Sequence, residues 1–284
     1  MKIVEIHGMY GMPEPASHSS NPPPLGSTIR IRATVRYDGT GFAGWQKQTN
    51  ARTVQGAIEE ALSRLAGRPV TIQGAARTDA GVHALGQVFS CDWSGRASLE
   101  TLRHSLSRIL SPSIRIENIT EAPPHFSARH DAVGKRYAYT ISLAREPDPF
   151  SARYAWRVSR AIEPARMAEL AARLVGERDF AGFQCLGSDP VSTIRKIESI
   201  AILPGGVMAP LDARDLWRIE FSGSGFLYKM IRNITGTLVD IARGHLPESR
   251  IEERLASPGP YDGYTAPAHG LVLLGVRYPE DAEA

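Results

Sequence analysis

Two cysteines, Cys91 and Cys185, in 284 residues are too few for a disulfide framework or a structural zinc site, and their scarcity points to a reducing compartment, the cytoplasm. No stretch approaches the roughly 20 apolar residues that a bilayer span requires, so no membrane association is expected. The first residues lack a basic start followed by an apolar core, and no secretory signal is read there. Neither sign of charge dominates. Thirty-three Lys and Arg against 30 Asp and Glu leave a formal charge of +3, which permits a nucleic-acid partner without demanding one. Also missing are a Walker loop, a nucleophile elbow and a His-Glu-x-x-His pair. His83 lies four residues after Asp79, but no further His, Cys or carboxylate falls at ligand spacing, so no metal and no cofactor are expected.

What is present is an ordinary globular composition, 42% apolar and 22% charged, on a chain long enough for two domains or two halves of one. Residues 1–28 stand apart. They hold five of the 20 prolines and few charges, and read as a flexible extension. From Ile29 to Tyr37 apolar and basic residues alternate as in a strand. A loop punctuated by glycines follows, Tyr37 to Gln46, with three aromatics. Thr53 caps a helix that presents Val54, Ile58, Leu62 and Leu65 on one face, and Gly67 ends it. Strands are expected over Pro69–Ile72 and Gln87–Trp93, a helix from Ser98 through Leu110, and a strand near Ile114–Glu121. A break at Pro123–His130 divides an N-terminal half, 29–125, from a C-terminal half, 126–284.

The second half reads as a strand over Lys135–Leu143, a shorter one over Tyr154–Val158, and a helix from Pro164 with Met167, Leu170, Leu174 and Val175 inward. Strands near Thr193–Ile202 and Leu216–Phe221 follow. The longest helix is expected from Phe226 to about Arg243, opened by Gly223-Ser224-Gly225, whose N-terminus could hold a phosphate. A last strand covers Leu271–Tyr278. Strands and helices interleave without a strict βαβ rhythm, which favours an α+β class with a mixed, mainly antiparallel sheet flanked by helices.

Chemistry concentrates in Gly74 to His83, a loop held between two strands. Asp79 is its only carboxylate, and Arg77 stands two residues away. Asp-Ala-Gly is also ordinary turn chemistry, so a structural turn and a catalytic carboxylate both fit. Tyr137 opens a strand whose same face turns aliphatic, placing its ring half in the core. Tyr228, Arg232 and Thr235 share a stripe of the late helix. A hydrolase cleaving a glycosidic bond would need a second carboxylate, for which Asp38 is the nearest candidate.

These segments, in this order, resemble the TruA family of tRNA pseudouridine synthases. Tyr37–Gln46 is similar to its opening motif, Arg77–His83 to its catalytic loop and Lys135–Tyr139 to its base-stacking strand. Phe226–Gly236 is similar to its arginine helix, and Ala266–Leu271 to its C-terminal signature. One departure is Ala76, where the family has Gly, which requires that residue to keep negative φ. The resemblance implies the pseudouridine synthase fold, two similar halves sharing one sheet with a central active-site cleft. It implies isomerisation of uridine at positions 38, 39 and/or 40 in the anticodon stem-loop of tRNA, by a homodimer without a cofactor. Asp79 would be the catalytic carboxylate, Arg232 its ion-pair partner, and Tyr137 the stacking ring. Arg77, Tyr137 and His83 would contact the substrate. The alternative is a non-catalytic RNA-binding protein on the same scaffold.

Overall fold

The structure, a computed structural model, describes residues 28–158, 162–187, 190–208, 215–256 and 259–282. The proline-rich segment, apart from Thr28, lies outside the described residues. One sheet of ten strands runs through the described part: β1 (Ile29–Tyr37), β2 (Gln73–Gly74), β3 (His83–Trp93), β4 (Ile114–Glu121), β5 (Gly134–Ser142), β6 (Trp156–Arg157), β7 (Gly176–Asp179), β8 (Ile194–Pro204), β9 (Leu216–Gly223) and β10 (Leu271–Arg277). Helices α1 (Val54–Ala66), α2 (Leu99–Leu110), α3 (Pro164–Ala172), α4 (Met230–Ala242) and α5 (Arg250–Ala256) pack around it. The main path is β4-β1-β3-β10-β5-β9-β8-β7, with β2 beside β3 and β6 beside β5. Pairing is antiparallel except between β10 and β3 and between β5 and β6. The expected α+β class and mixed, mainly antiparallel sheet are therefore observed.

The last strand decides the layout. β10 lies between β3 and β5, pairing Leu273 with Ala84 on one side and with Tyr137 on the other. The loop that precedes β3 and the aromatic face of β5 are thus brought together by a strand almost 200 residues downstream of the first. Alternation along β1 buries Ile31, Ala33, Val35 and Tyr37, as a half-buried strand requires. Thr53 accepts from the Gly56 amide and caps α1, and Gly67 ends it in the left-handed region. Ser98 caps α2, whose Leu99, Leu102, Leu106 and Leu110 are all buried.

Several expected boundaries move. Pro69–Ile72 is not a strand, because α1 side chains take its amides: Ser63 Oγ accepts from Val70 and Glu59 Oε1 from Ile72. The pairing at that point shrinks to Gln73 and Gly74. Leu65 is exposed, and Ala61 takes its place on the buried face of α1. Tyr154–Val158 contracts to two paired residues, and Val175 lies beyond the end of α3. β7 and α5 were not expected: β7 is a short outer strand with three of its four residues exposed, and neither carries a strong apolar rhythm.

The late helix starts at Met230, not Phe226. Ser224 donates to the Lys196 carbonyl and so prolongs the edge of β9. Lys229 sits at φ 58, a left-handed conformation that stops a helix from extending backwards through it. The glycine turn is thus four residues from the helix N-terminus, and Tyr228 is outside the helix. Thr235 is fully buried. The polar stripe expected to join them does not form.

Candidate active site

The loop before β3 is fixed along its whole length. The Ala75 amide donates to the Val88 carbonyl. The buried Gln87 side chain accepts from the Ala76 amide at 3.2 Å and donates to the Ala76 carbonyl at 2.7 Å, closing both polar groups of one residue. Ala76 does not adopt positive φ, so this clamp holds an ordinary conformation that alanine tolerates. The Thr78 carbonyl accepts from the Trp45 amide at 3.0 Å, and its hydroxyl is 2.8 Å from the Tyr37 hydroxyl. The Val82 amide donates back to the Asp79 carbonyl, with Gly81 at φ 79 completing the turn.

The glycines of the preceding loop have a shared cause. A Cβ on Gly44 would stand 2.7 Å from the Thr78 carbonyl oxygen, and one on Gly39 would stand 2.0 Å from that of Val82. The Tyr37–Gln46 segment lies backbone to backbone against the Asp79 turn, and its aromatics Tyr37, Phe42 and Trp45 are buried beneath.

Asp79 meets a partner from late in the chain. Arg232, in the first turn of α4, donates from Nη1 to Asp79 Oδ2 at 2.7 Å and from Nε to the Ala266 carbonyl at 2.7 Å. Ala266 returns a bond from its amide to the Arg232 carbonyl. This strap of chain crosses α4 closely, since a Cβ on Gly236 would fall 1.8 Å from the Tyr264 carbonyl oxygen. Asn233, fully buried, donates to the Phe183 carbonyl and accepts from Thr265, pinning the helix start to both neighbours. Asp79 and Arg232 side chains are 18% and 13% exposed, so the pair is shielded yet reachable. Among the described residues, Oδ1 of Asp79 has no hydrogen-bond partner.

Tyr137 completes the arrangement. Its ring is buried, with the edge of Phe226 packed at 5.4 Å. Burial pushes its phenol well above its ordinary value, and the nearby Tyr37 phenol and Asp79 carboxylate add to that shift. The hydroxyl therefore stays protonated at neutral pH, and the residue offers a face and a neutral dipole.

Arg77 is exposed and makes no ion pair with any described residue. His83, expected at the substrate, lies elsewhere. It is 1% exposed, its Nδ1 accepts from the Gly39 amide at 3.1 Å, and its ring meets the edge of Tyr154. Burial holds its imidazole below the usual value against the pull of Asp38. Its ring is enclosed, so it supports the loop from behind. Asp38 is also committed, accepting from the Thr40 amide and hydroxyl and from the Tyr154 hydroxyl. Burial works to raise its carboxyl, but those bonds and His83 outweigh it and leave the value lowered. Asp38 is not free to serve as the second carboxylate of a hydrolase. A concavity of about 500 Å³ lies apart from all of these, lined by Lys47, Arg52, Glu60, Arg64 and Ile109 among others. Among the described residues no three His, Cys, Asp or Glu side chains gather as a metal site. Sequence reasoning missed Gln87, the Ala266 carbonyl and Asn233. Only Asn233 left a signal, as an amide on the apolar helix beside Arg232.

One carboxylate held by one guanidinium, an aromatic face beside it and no second free acid define a single-carboxylate site on an α+β sheet. Comparison with known proteins adds the family. The profile described as tRNA pseudouridine synthase matches residues 33–131 and 170–279. The chain is 39% identical to a tRNA pseudouridine synthase A of Geobacter sulfurreducens over 87% of its own length and 99% of that protein's. Its identity to a tRNA pseudouridine synthase A of Syntrophotalea carbinolica is 36%, over 88% and 97% of the two chains. For one of Solidesulfovibrio magneticus it is 40%, over 88% and 91%. The chain belongs to the tRNA pseudouridine synthase family, whose members are isomerases.

Proposed function

We propose that this chain isomerises uridine to pseudouridine at positions 38, 39 and/or 40 in the anticodon stem-loop of tRNA. The observation that carries the reading is the 2.7 Å Arg232–Asp79 pair beside the buried Tyr137 face. The reaction breaks the bond from N1 of uracil to the sugar, turns the base, and joins its C5 to the same carbon. The proton lost from C5 is balanced by one gained at N1, so neither redox agent nor energy source enters.

In this reading Asp79 supplies the carboxylate. Arg232 keeps one oxygen occupied and the charge in place, leaving Oδ1 for the substrate. Tyr137 stacks on the uracil, and Arg77, whose guanidinium is unpaired among the described residues, holds the extruded nucleotide. A uridine inside a stacked stem is unreachable, and an aromatic face with a cation beside it stabilises the base once it is out. We also propose that the chain works in the cytoplasm as a homodimer, and that residues 29–125 and 126–284 act as two halves. The first would carry Asp79, and the second Tyr137 and Arg232. Light scattering checks the dimer by its mass.

The test is incubation with unmodified tRNA transcript labelled at carbon 5 of uridine, beside an Asp79→Asn variant. Label release by the native protein alone supports the reading, and mapping the modified position identifies the site. Equal RNA binding by both proteins with no release by either would favour a binding protein on the same scaffold.

A further inference from the structure

We propose that Lys135, Arg129 and Arg195 form a phosphate-binding subsite for the RNA strand that carries the target uridine. The inference rests on the uridine isomerase reading and names how the strand beside the extruded base is held.

The geometry begins with register. On β9 the partner of Lys135 is Gly223 and that of Tyr137 is Phe221, with no irregularity between them. Lys135 and Tyr137 therefore share one face of β5, about 7 Å apart along the strand. That is the reach from a stacked base to the phosphates flanking its own sugar. Opposite Lys135 stands Gly223, and the tip of the Phe226 ring and the Lys196 carbonyl close over that glycine.

The two charges that act on it are both positive. Lys135 is half-buried, and its ammonium makes no ion pair or hydrogen bond with any described residue. Burial first, and then the charges of Arg129 and Arg195, lower its pKa to about 8. Neither arginine is ion-paired to a described residue. Arg195 is oriented by the start of β8 and the residues before it, donating to the Ser192 and Ile194 carbonyls. Carboxylates are available nearby on the same strands: Glu220 takes Arg136 and Arg218, and Glu198 takes Arg277. Among the described residues none of them pairs with Lys135.

Three cations brought together with no acid among them raise the energy of the free protein. The arrangement is stabilised by an anion that arrives with several acceptor oxygens. A phosphodiester next to the flipped uridine meets that requirement, and such contacts fix the register of a nucleic acid without reading its sequence.

The experiment uses the full chain and an anticodon stem-loop RNA. Lys135→Met, Lys135→Arg and Arg129→Gln are compared with the native protein in binding across a salt series, in label release and in thermal unfolding. Lys135→Met is expected to weaken binding about tenfold, to reduce the salt slope by about one contact, and to raise KM with little change in kcat. Lys135→Arg is expected to recover most of the binding. A set of RNAs, each with one neutral methylphosphonate near the target uridine, locates the partner. At one position the substitution should weaken binding to the native protein yet add nothing to Lys135→Met.

An unchanged salt slope in Lys135→Met, or losses that add at every phosphate, overturns the proposal. So does a lowered melting temperature with an equal loss of binding in Lys135→Arg, which marks a structural role. If the native protein releases no label while the binding cycle closes as described, the isomerase reading fails and the phosphate subsite stands.

Discussion

The loop that carries Asp79 and the strand that carries Lys135 sit on neighbouring parts of one sheet and are built on opposite rules. Around Asp79 the polar groups of the backbone are matched: Ala76 by Gln87, Thr78 by Trp45 and Tyr37, and Asp79 itself by Arg232 and Val82. Around Lys135 burial and the charges of Arg129 and Arg195 act against the ammonium, and no described carboxylate pairs with it. A reacting group gains from being fixed before the substrate arrives, because orientation is then not lost at the moment of reaction. A group that recognises a charged ligand gains from being left unsatisfied until the ligand comes. The comparison separates a group fixed in advance from a group left without a partner, and it can be broken at either end.

The largest effect is expected at Asp79. Asp79→Asn keeps the shape and the bond from Arg232 but removes the negative charge. Label release should fall by about 10⁴-fold or more, with RNA affinity nearly unchanged. A variant that retained a tenth of the native rate would show that the carboxylate is a turn residue after all. Arg232→Met comes next. It leaves Asp79 shielded and unpaired and drops the bond to Ala266, so turnover should fall by about 10²- to 10³-fold. Arg232→Lys should recover only part, since an ammonium cannot serve the carboxylate and the Ala266 carbonyl with the same fork. Single-turnover kinetics on both variants separates this from weaker binding.

Much of this pairing was legible in the chain, for uneven reasons. Strands β1 and β4 and helices α1 and α2 follow directly from alternation, capping residues and leucine spacing. Asp79, Tyr137 and Arg232 stood out because their segments resemble a known family, and their meeting needed one further fact. β10 must insert between β3 and β5, and no local pattern encodes that. The start of α4 misled because Phe226 and Leu227 continue the apolar rhythm while Lys229 breaks the backbone at φ 58, and periodicity does not register φ. His83 misled differently: a histidine next to a catalytic loop looks like a ligand contact, and only its 1% exposure shows that it faces inward. Gln87 could not be found by sequence at all, since a glutamine in an apolar strand gives no sign of which carbonyl it will close.

Gln87 also gives a smaller test of the fixed side. Gln87→Leu keeps the volume but strands the amide and carbonyl of Ala76 in the interior. The cost should be about 2–3 kcal/mol in denaturant unfolding, with turnover lowered further because the Asp79 turn loses its base. A substitution that lowered stability without touching turnover would show the loop to be held by Thr78 and Tyr37 alone.

The smallest effect should appear in the free protein at Lys135, and its sign is opposite to the others. The folded lysine titrates at about 8 rather than its ordinary 10.5. Below about pH 8 it is charged in both folded and unfolded chains, and the full penalty of burying that charge, with Arg129 and Arg195 acting on it, is present. Between those two values the unfolded chain binds the proton and the folded one does not, so native stability rises with pH. Above 10.5 both are neutral and the penalty is gone. Lys135→Met should therefore melt slightly above the native protein at pH 7, with the gap closing as the pH rises through 8 toward 10.5. The two proteins differ only at position 135, so the difference between them isolates the lysine. A gap of the opposite sign at pH 7 would mean that Lys135 holds the fold together, and the contrast between a fixed side and a waiting side would fail at that residue.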